Sequence, residues 1–343
     1  MKPRLLLLEF HHLGDAVLSL PFIRSAMGKY EVWVCCRPVQ KPVFEMILPS
    51  ENILVWEPFW TGGHLWNHKE MAETGRRLKA LQAGVVVCGW ADPRVHLLML
   101  SSGAARRVGF PLNRVNYFSW KAAGTVNRFW LGKLFQWAAG LLCGKALLTD
   151  ALQRESWEQA HWRDWQQVGT ALNLEVSMRT PWVSLFQESV GSVVSGRKWL
   201  LHVGARLPEK RWPVEGFVDV VKNFLEPEKM DWVCVAPAGE GDALPACLQE
   251  KRVETPDWGA LLEEVGKADA VLCHDSAVAH LAAALGKPVV SLFGNRPSCW
   301  FAPYGSEHLV VGSSVKCPEG LGILAIDPRE VAFKMKEALG FEK

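Results

Sequence analysis

Three short polar segments, each following an apolar run, carry residue types and spacings that can do chemistry. The first is His11-His12-Leu13-Gly14-Asp15. Gly14 can permit an unusual backbone angle or a close ligand approach. Asp15 can cap the helix that follows or, if it faces a cleft, act as general base toward a sugar hydroxyl. The second segment runs from His202 to Pro213 and places Arg206, Lys210 and Arg211 within six residues, just after Gly204. Backbone N–H groups near Gly204 and these cations can hold a diphosphate and stabilise it as it departs, or they can form a solvated basic loop. The third is Cys273-His274-Asp275-Ser276-Ala277-Val278-Ala279-His280. Ser276 is a candidate N-cap, the helix N-terminus behind it favours an anionic ligand, and His280 lies four residues on, along the same face. An Asp-Ser cap and a helical His also serve packing alone; it is the co-occurrence of all three segments that turns the reading toward function.

The elements that must position these segments alternate regularly. Leu5 to Phe10 reads as a buried strand, and Val17, Leu18, Leu20, Ile23 and Met27 fall at helical spacing after the first polar segment. Glu31 to Cys36 and Gly84 to Gly89 have the short, β-branched character of further buried strands, with a helical stretch at Lys69 to Leu81 between them. After the Pro-bearing Ser177 to Phe186 and the Gly- and Ser-containing Gln187 to Gly196, a second series begins. Strands are expected at Lys198–Val203, Trp232–Ala236, Ala270–His274 and Pro288–Phe293, and helices at Val214–Leu225, Trp258–Lys267 and Ala277–Leu285, with Gly286 and Pro288 closing the last helix. The pattern predicts an α/β protein of two doubly wound, Rossmann-like domains facing each other across a cleft, residues 1–186 and 187–343, with the final helix as a candidate to pack back on the first. Ligands then belong beyond the carboxyl ends of the strands.

With 343 residues, 49% apolar and 22% charged, the chain can bury two cores and has no low-complexity tract. Leu5 to Leu8 is followed at once by Glu9, His11 and His12, too short an apolar stretch for a signal peptide. Nine cysteines without CxxC spacing, most of them inside apolar runs, predict reduced, packed thiols and a cytoplasmic protein. No GxGxxG opens either half, which disfavours a dinucleotide oxidoreductase. Gly140 to Lys145 is one residue short of a P-loop, with Ala146 where Ser or Thr should hold magnesium. Without HExxH or paired cysteines no catalytic metal is implied, and Ser276 sits in no GxSxG turn.

Gly14-Asp15 after the first strand, Lys210-Arg211-Trp212-Pro213 opening the second domain, and Asp275-Ser276 with His280 and the run Ala282 to Gly294 together resemble the heptosyltransferase family of lipopolysaccharide synthesis, glycosyltransferase family 9. Trp300 to Gly305 is similar to the family's segment after the strand ending in Phe293-Gly294. The resemblance implies the GT-B architecture and inverting, metal-independent transfer of heptose from ADP-heptose onto the lipopolysaccharide inner core, with no cofactor. Asp15 and Lys210 become the catalytic pair: Asp15 deprotonates the acceptor hydroxyl, and Lys210 holds the donor phosphates with Ser276 and backbone around Ala277, while His280 supports that loop. Gly204, Arg206, Arg211, Asp275 and Glu240 complete the donor side, Glu240 being preferred to Asp242 as the ribose-binding acid. His11, His12, Gly14, Arg106, Arg107, Arg114 and Lys121 are the acceptor-side candidates. The chain departs from the family at Ala277, where glycine is common, at Val203, where proline often follows the histidine, and in a C-terminal cysteine pattern matched only by Cys317.

Between Arg94 and Lys145 there are eight Lys or Arg and no Asp or Glu, interleaved with Phe110, Tyr117, Phe118, Trp120, Phe129, Trp130, Phe135 and Trp137. Such a surface suits an anionic inner leaflet and the phosphates or carboxylates of a lipid A–core acceptor; the alternative is ordinary core and ordinary surface. Lys133, Gln136 and Lys145 interrupt the apolar stretch Phe129 to Leu148, so peripheral attachment at the inner membrane is expected in place of a span. The rest of the chain is balanced, at a net charge of +2, and carries no nucleic-acid module. Two alternatives stand beside the heptosyltransferase: a non-catalytic nucleotide-binding or membrane-surface scaffold, against which the presence of Asp15 and Lys210 argues, and a GT-B transferase using another nucleotide sugar.

Overall fold

In the computed structural model, which describes residues 2–62, 67–112, 146–156, 159–183, 198–236, 243–294, 298–312 and 322–340, the short apolar runs become parallel strands. They fall in two compact units, Met1–Met178 and Arg179–Lys343.

In the first unit β1 (Arg4–Glu9), β2 (Glu31–Cys36), β3 (Ile53–Val55), β4 (Val85–Cys88), β5 (Arg106–Gly109) and β6 (Asp150–Ala151) form one sheet in the order β3-β2-β1-β4-β5-β6. Leu5 lies opposite Val32 on one side and Val85 on the other, so the central strands are apolar on both faces, as a sheet covered by helices on both sides requires. Its helices include α1 (Leu13–Met27), α2 (His68–Ala80), α3 (Pro93–Ser101) and α4 (His161–Ala171). Local chemistry sets their starts. Asn67 accepts from the Glu70 N–H at 3.2 Å to cap α2, and Asp92 accepts from the Arg94 N–H at 2.9 Å to cap α3, whose first residue is Pro93. Helix α4 packs along α1, the Trp165 ring stacking on Phe22 with centroids 5.4 Å apart, and this fixes where its first residue, His161, lies.

The second unit has β7 (Lys198–His202), β8 (Asp231–Val235), β9 (Ala270–His274), β10 (Val289–Phe293) and β11 (Val310–Gly312) in the order β11-β10-β9-β7-β8. Its helices include α5 (Val214–Val220), α6 (Trp258–Lys267), α7 (Ala277–Ala284) and α8 (Pro328–Ala338). The stretch expected as one helix over Val214–Leu225 is α-helical to Val220 and then makes a π turn over Val221–Leu225. Gly286 ends α7 in the left-handed region at φ +76°, where its N–H and that of Lys287 bond back to Ala283 and Ala282. The last described helix, α8, belongs to the core of its own unit: it packs on α5, β10 and β11 and buries Val331 and Met335 there.

Chain order and sheet order together locate the ligand edges. In the first sheet the order reverses between β1 and β4, and in the second between β7 and β9. The crevice beyond the carboxyl ends of such strand pairs is where doubly wound sheets bind ligands. The loops after β1, β7 and β9 are the three polar segments already singled out; the loop after β4, Gly89 to Asp92, is the fourth.

Candidate active site

At the β1/β4 edge polar groups are buried and tied to one another. Asp15 is the third residue of α1, 4% exposed, and its Oδ2 accepts from the backbone N–H of His12, the N-cap residue, at 3.0 Å. It thus caps from inside the first turn, and Gly14 beside it has ordinary helical backbone. The capping role and a chemical one are compatible, because capping occupies one oxygen only. The other, Oδ1, lies 3.9 Å from His161 Nε2 at the start of α4.

Around Asp15 the protein keeps formal charge low. Burial, and then the Asp15 carboxylate, push Glu9 at the end of β1 well above the usual carboxylate range; its Oε1 accepts from the His11 N–H at 2.9 Å. Burial holds His11 down at about 3, against the pull of the Asp92 and Asp15 carboxylates. Burial thus works against charge on both partners of the Glu9–His11 contact at 3.8 Å. The His11 ring stacks on the Trp90 indole with centroids 4.2 Å apart, and His161 lies against the same indole at 4.3 Å. Farther along the edge, burial would raise Asp92, but Arg94 outweighs it through its charge and hydrogen bonds, holding Asp92 at about 2. Arg94 reaches Asp92 through Nε at 3.0 Å and through its terminal nitrogen at 2.6 Å, and lies over the Trp60 ring at 4.6 Å.

The β7/β9 edge is built differently. His274, fully buried at the end of β9, accepts at Nε2 from the Trp212 N–H at 2.9 Å and bonds through Nδ1 to the Gly204 carbonyl at 3.0 Å. Accepting at Nε2 requires the proton on Nδ1, so one neutral imidazole ties both ends of the Gly204–Trp212 loop to the sheet. Burial holds that imidazole down at about 4. Trp212 is buried as well: its indole N–H donates to the Ile326 carbonyl at 3.1 Å, and a Cβ on Gly216 would meet the ring at 2.4 Å, so only glycine fits there. The loop between these anchors presents Lys210, whose Nζ reaches Asp275 Oδ2 at 2.5 Å and the Asp275 carbonyl at 3.3 Å. An ammonium has three donors, so one is left over. Ser276 is the N-cap residue of α7, but its hydroxyl makes no cap hydrogen bond. Lys210 and the first-turn N–H groups of α7 thus converge on one positive corner.

Other expected residues scatter. Arg206 is exposed, Arg211 bonds through Nε to the Ala205 carbonyl at 2.7 Å, and His280 is buried within α7. The structure does not bring Arg106 and Arg107 to the Asp15 edge. They open β5, level with Val85 and Val86 at the start of β4, whereas the Asp15 loop follows the far ends of the strands. Arg106 pairs with Asp150 at 2.7 Å and donates to the Ala171 carbonyl; Arg107 donates to the carbonyls of Leu147 at 2.7 Å and Ala104 at 3.0 Å. Arg114, Lys121, Glu240, Asp242, Cys317 and most of the basic aromatic segment lie outside the described residues. Among the described residues no helix is long and apolar enough to cross a membrane. Sequence reasoning missed Trp90, Asp92, His161 and Asp164. Only Asp92 had a local signal, standing before Pro93 as an N-cap before a first-position proline.

Two Rossmann-like units with these ligand edges make up a GT-B glycosyltransferase fold. A glycosyltransferase of family 9 from Veillonella parvula aligns at TM-score 0.70 and 16% identity, over 100% of this chain and 99% of that one. The Escherichia coli heptosyltransferase WaaC with ADP aligns at TM-score 0.70 and 14% identity over 98% and 99%, and the E. coli ADP-heptose LPS heptosyltransferase II at 0.66 and 16% over 99% of each. At these identities the likeness speaks for the fold. In sequence, the model of glycosyltransferase family 9 (heptosyltransferase) matches residues 166–323, from α4 through the second sheet, and it is to that family that this part of the chain is similar. No curated protein matches the chain.

Proposed function

We propose that this protein is an inverting, metal-independent heptosyltransferase that moves heptose from ADP-heptose onto the lipopolysaccharide inner core, working as a cytoplasmic protein attached to the inner face of the inner membrane. The observation that carries the reading is the division of labour between the two edges. One holds a buried carboxylate with an oxygen the fold does not use, and the other a lysine set beside a helix N-terminus. These are a proton acceptor and an anion site, the two things sugar transfer from a nucleotide donor needs.

In this mechanism Asp15 takes the proton of the acceptor hydroxyl as its oxygen attacks the anomeric carbon. The bond from that carbon to the diphosphate breaks, and its electron pair leaves on ADP with inversion at carbon. Lys210, through the donor Asp275 leaves over, and the N–H groups around Ser276 and Ala277 meet the charge that builds on the leaving diphosphate. Gly204 and Arg211 shape the donor loop, with Arg206 and His280 around it, while His11, His12 and Gly14 line the acceptor side. The first unit is then the acceptor half and the second the nucleotide half. The solved relatives support the donor: WaaC was determined with ADP, and also with ADP-2-deoxy-2-fluoro heptose. The basic, aromatic stretch from Arg94 to Lys145 supports the membrane-borne acceptor.

The test is an incubation with ADP-heptose, with and without truncated lipopolysaccharide, in the presence of EDTA. Acceptor-dependent ADP release with a one-heptose gain in acceptor mass is expected. Donor binding without product on any core truncation would leave the scaffold reading in its place, and no donor binding would point to a different nucleotide sugar.

A further inference from the structure

The Asp15 edge contains a second titratable group that neither the capping of α1 nor the proposed chemistry uses. His161 is 2% exposed, and its Nε2 has no hydrogen-bond partner, although it lies 3.9 Å from Asp15 Oδ1. The other side of the ring is tightly held. Nδ1 is 2.7 Å from Asp164 Oδ2, and Asp164 receives Arg154 Nε at 2.8 Å and Gln159 Nε2 at 2.7 Å on Oδ1. Arg154 also pairs with Asp164 Oδ2 at 2.8 Å and donates to the Gln159 carbonyl at 3.0 Å. All four residues are buried. The Trp90 indole lies against the imidazole and also stacks with the His11 ring, on which the charges of Asp92 and Arg94 act. Glu9 is the remaining titratable neighbour, acting on Asp15 from the end of β1.

A carboxylate fixed by an arginine and an amide N–H is an acceptor only, so the atom facing it, Nδ1, carries the proton. The lone pair is then on Nε2, aimed toward Asp15. While Asp15 is a carboxylate, two acceptors face each other and no hydrogen bond forms, which agrees with the 3.9 Å gap. Once Asp15 has taken a proton on Oδ1, that O–H can donate to Nε2.

Resting on the reading of Asp15 as general base, we infer that His161 is a positioning residue that acts through Asp15, its Nε2 accepting a hydrogen bond that exists only after Asp15 has received the acceptor's proton, with Asp164 and Arg154 holding the ring in the tautomer that allows it. An interaction absent from the ground state and present as the proton transfers lowers the barrier without tightening substrate binding. The proton can pass on to Nε2, which returns Asp15 to the carboxylate and gives an imidazolium bonded to the Asp164 carboxylate, and the neutral imidazole is restored when that proton leaves to solvent.

The experiment compares His161→Gln, Asp164→Asn and Asp15→Asn by steady-state transfer from ADP-heptose, ADP-binding calorimetry and thermal melting. His161→Gln and Asp164→Asn are expected to lower kcat by about 10- to 100-fold, with the KM of the donor and the affinity for ADP within about twofold of wild type. The low-pH limb of the kcat profile should move in His161→Gln, which a merely structural histidine would not cause. Wild-type kcat in His161→Gln beside an inactive Asp15→Asn overturns the role of His161 and leaves the base assignment intact. Near-normal turnover in Asp15→Asn overturns the underlying reading and this one with it. A neutron structure of the deuterated wild type covers the case in which the variants do not fold: a deuteron on Nδ1 alone is expected, and one on Nε2 overturns the proposal.

Discussion

The two ligand edges solve opposite electrostatic problems with opposite means. At the β1/β4 edge the groups come from distant parts of the chain, Asp15, Trp90, Asp92 and His161, and every one is buried. At the β7/β9 edge the polar atoms come from two loops, and the key cation, Lys210, keeps a side-chain exposure of 22%. A group that must gain and lose a proton benefits from fixed neighbours and a low dielectric, where small changes in hydrogen bonding count heavily. A group that must capture an anion and later release it benefits from partial hydration, which keeps binding reversible. What differs between the edges is how many of the surrounding partners are fixed before substrate arrives. The first edge is nearly fully fixed, and the second keeps one ammonium donor and the first-turn amides of α7 in reserve.

That contrast predicts how the edges break. Asp15→Asn keeps the shape and the capping geometry but removes the base, so transfer should fall by about 10³-fold while ADP affinity stays within about twofold. Turnover and ADP calorimetry on the same preparation check it; a parallel loss of ADP affinity would erase the distinction between the edges. Lys210→Ala should act on both quantities. We expect kcat/KM for the donor to fall by about 10²-fold and ADP binding to weaken by about tenfold, because the same cation meets the diphosphate before and during departure. Should ADP bind Lys210→Ala as tightly as wild type, the positive corner would be the helix N-terminus alone.

Much of this was legible in the sequence, and the reason is physical. The interiors of β1, β7 and β9 are buried on both faces, so they appear as unbroken apolar runs, and the polar loops at their ends stand out by contrast. Asp15, Lys210, Asp275 and Ser276 are found that way. β5 was hidden because it begins with Arg106 and Arg107, whose charges suggested a ligand surface; their guanidinium groups instead satisfy carbonyls and Asp150 at the entry end of the sheet. His161 was hidden for another reason. It opens a helix of low mean apolarity in a part of the chain without motif, and only the packing of Trp165 on Phe22 brings it to Asp15, 146 positions earlier. Spacing reports neighbours along a helix or strand, and it is silent on which helices lie side by side. His274 is the intermediate case: its place in the third polar segment was plain, but its role as a two-ended tie required knowing where the loop 204–212 folds.

His274 gives the second edge a pH sensitivity. Unfolded, the imidazole takes a proton near 6.5; folded, burial delays this to about 4. Over that interval the unfolded chain binds more protons, so the contribution is fully present above about pH 6.5 and is lost as pH falls toward about 4, by about 3 kcal/mol in total. Protonation also removes the Nε2 lone pair that the Trp212 N–H uses. Thermal melting and ADP binding followed from pH 7 to 4.5 should therefore weaken together. His202, held near 4 by its own burial, adds to the same trend. If melting temperature drops while ADP affinity holds, His274 ties the core and not the donor loop.

The smallest effect tests where the acceptor edge ends. Arg106 is 37% exposed and bridges Asp150 to the end of α4, so its removal should cost about 1 kcal/mol, equivalent to a few degrees in melting temperature. Because it stands at the entry end of β5, Arg106→Ala should leave the KM for the lipopolysaccharide acceptor and kcat within about twofold. Arg94→Ala is the control, since its guanidinium is pinned by Asp92 on the loop side of the sheet, near Asp15. A tenfold rise in acceptor KM from Arg106→Ala, with Arg94→Ala silent, would mean that the acceptor is held along the flank of the sheet and not at its carboxyl edge. The likeness drawn between the two units, each binding its ligand at a strand-order reversal, would then fail for the first of them.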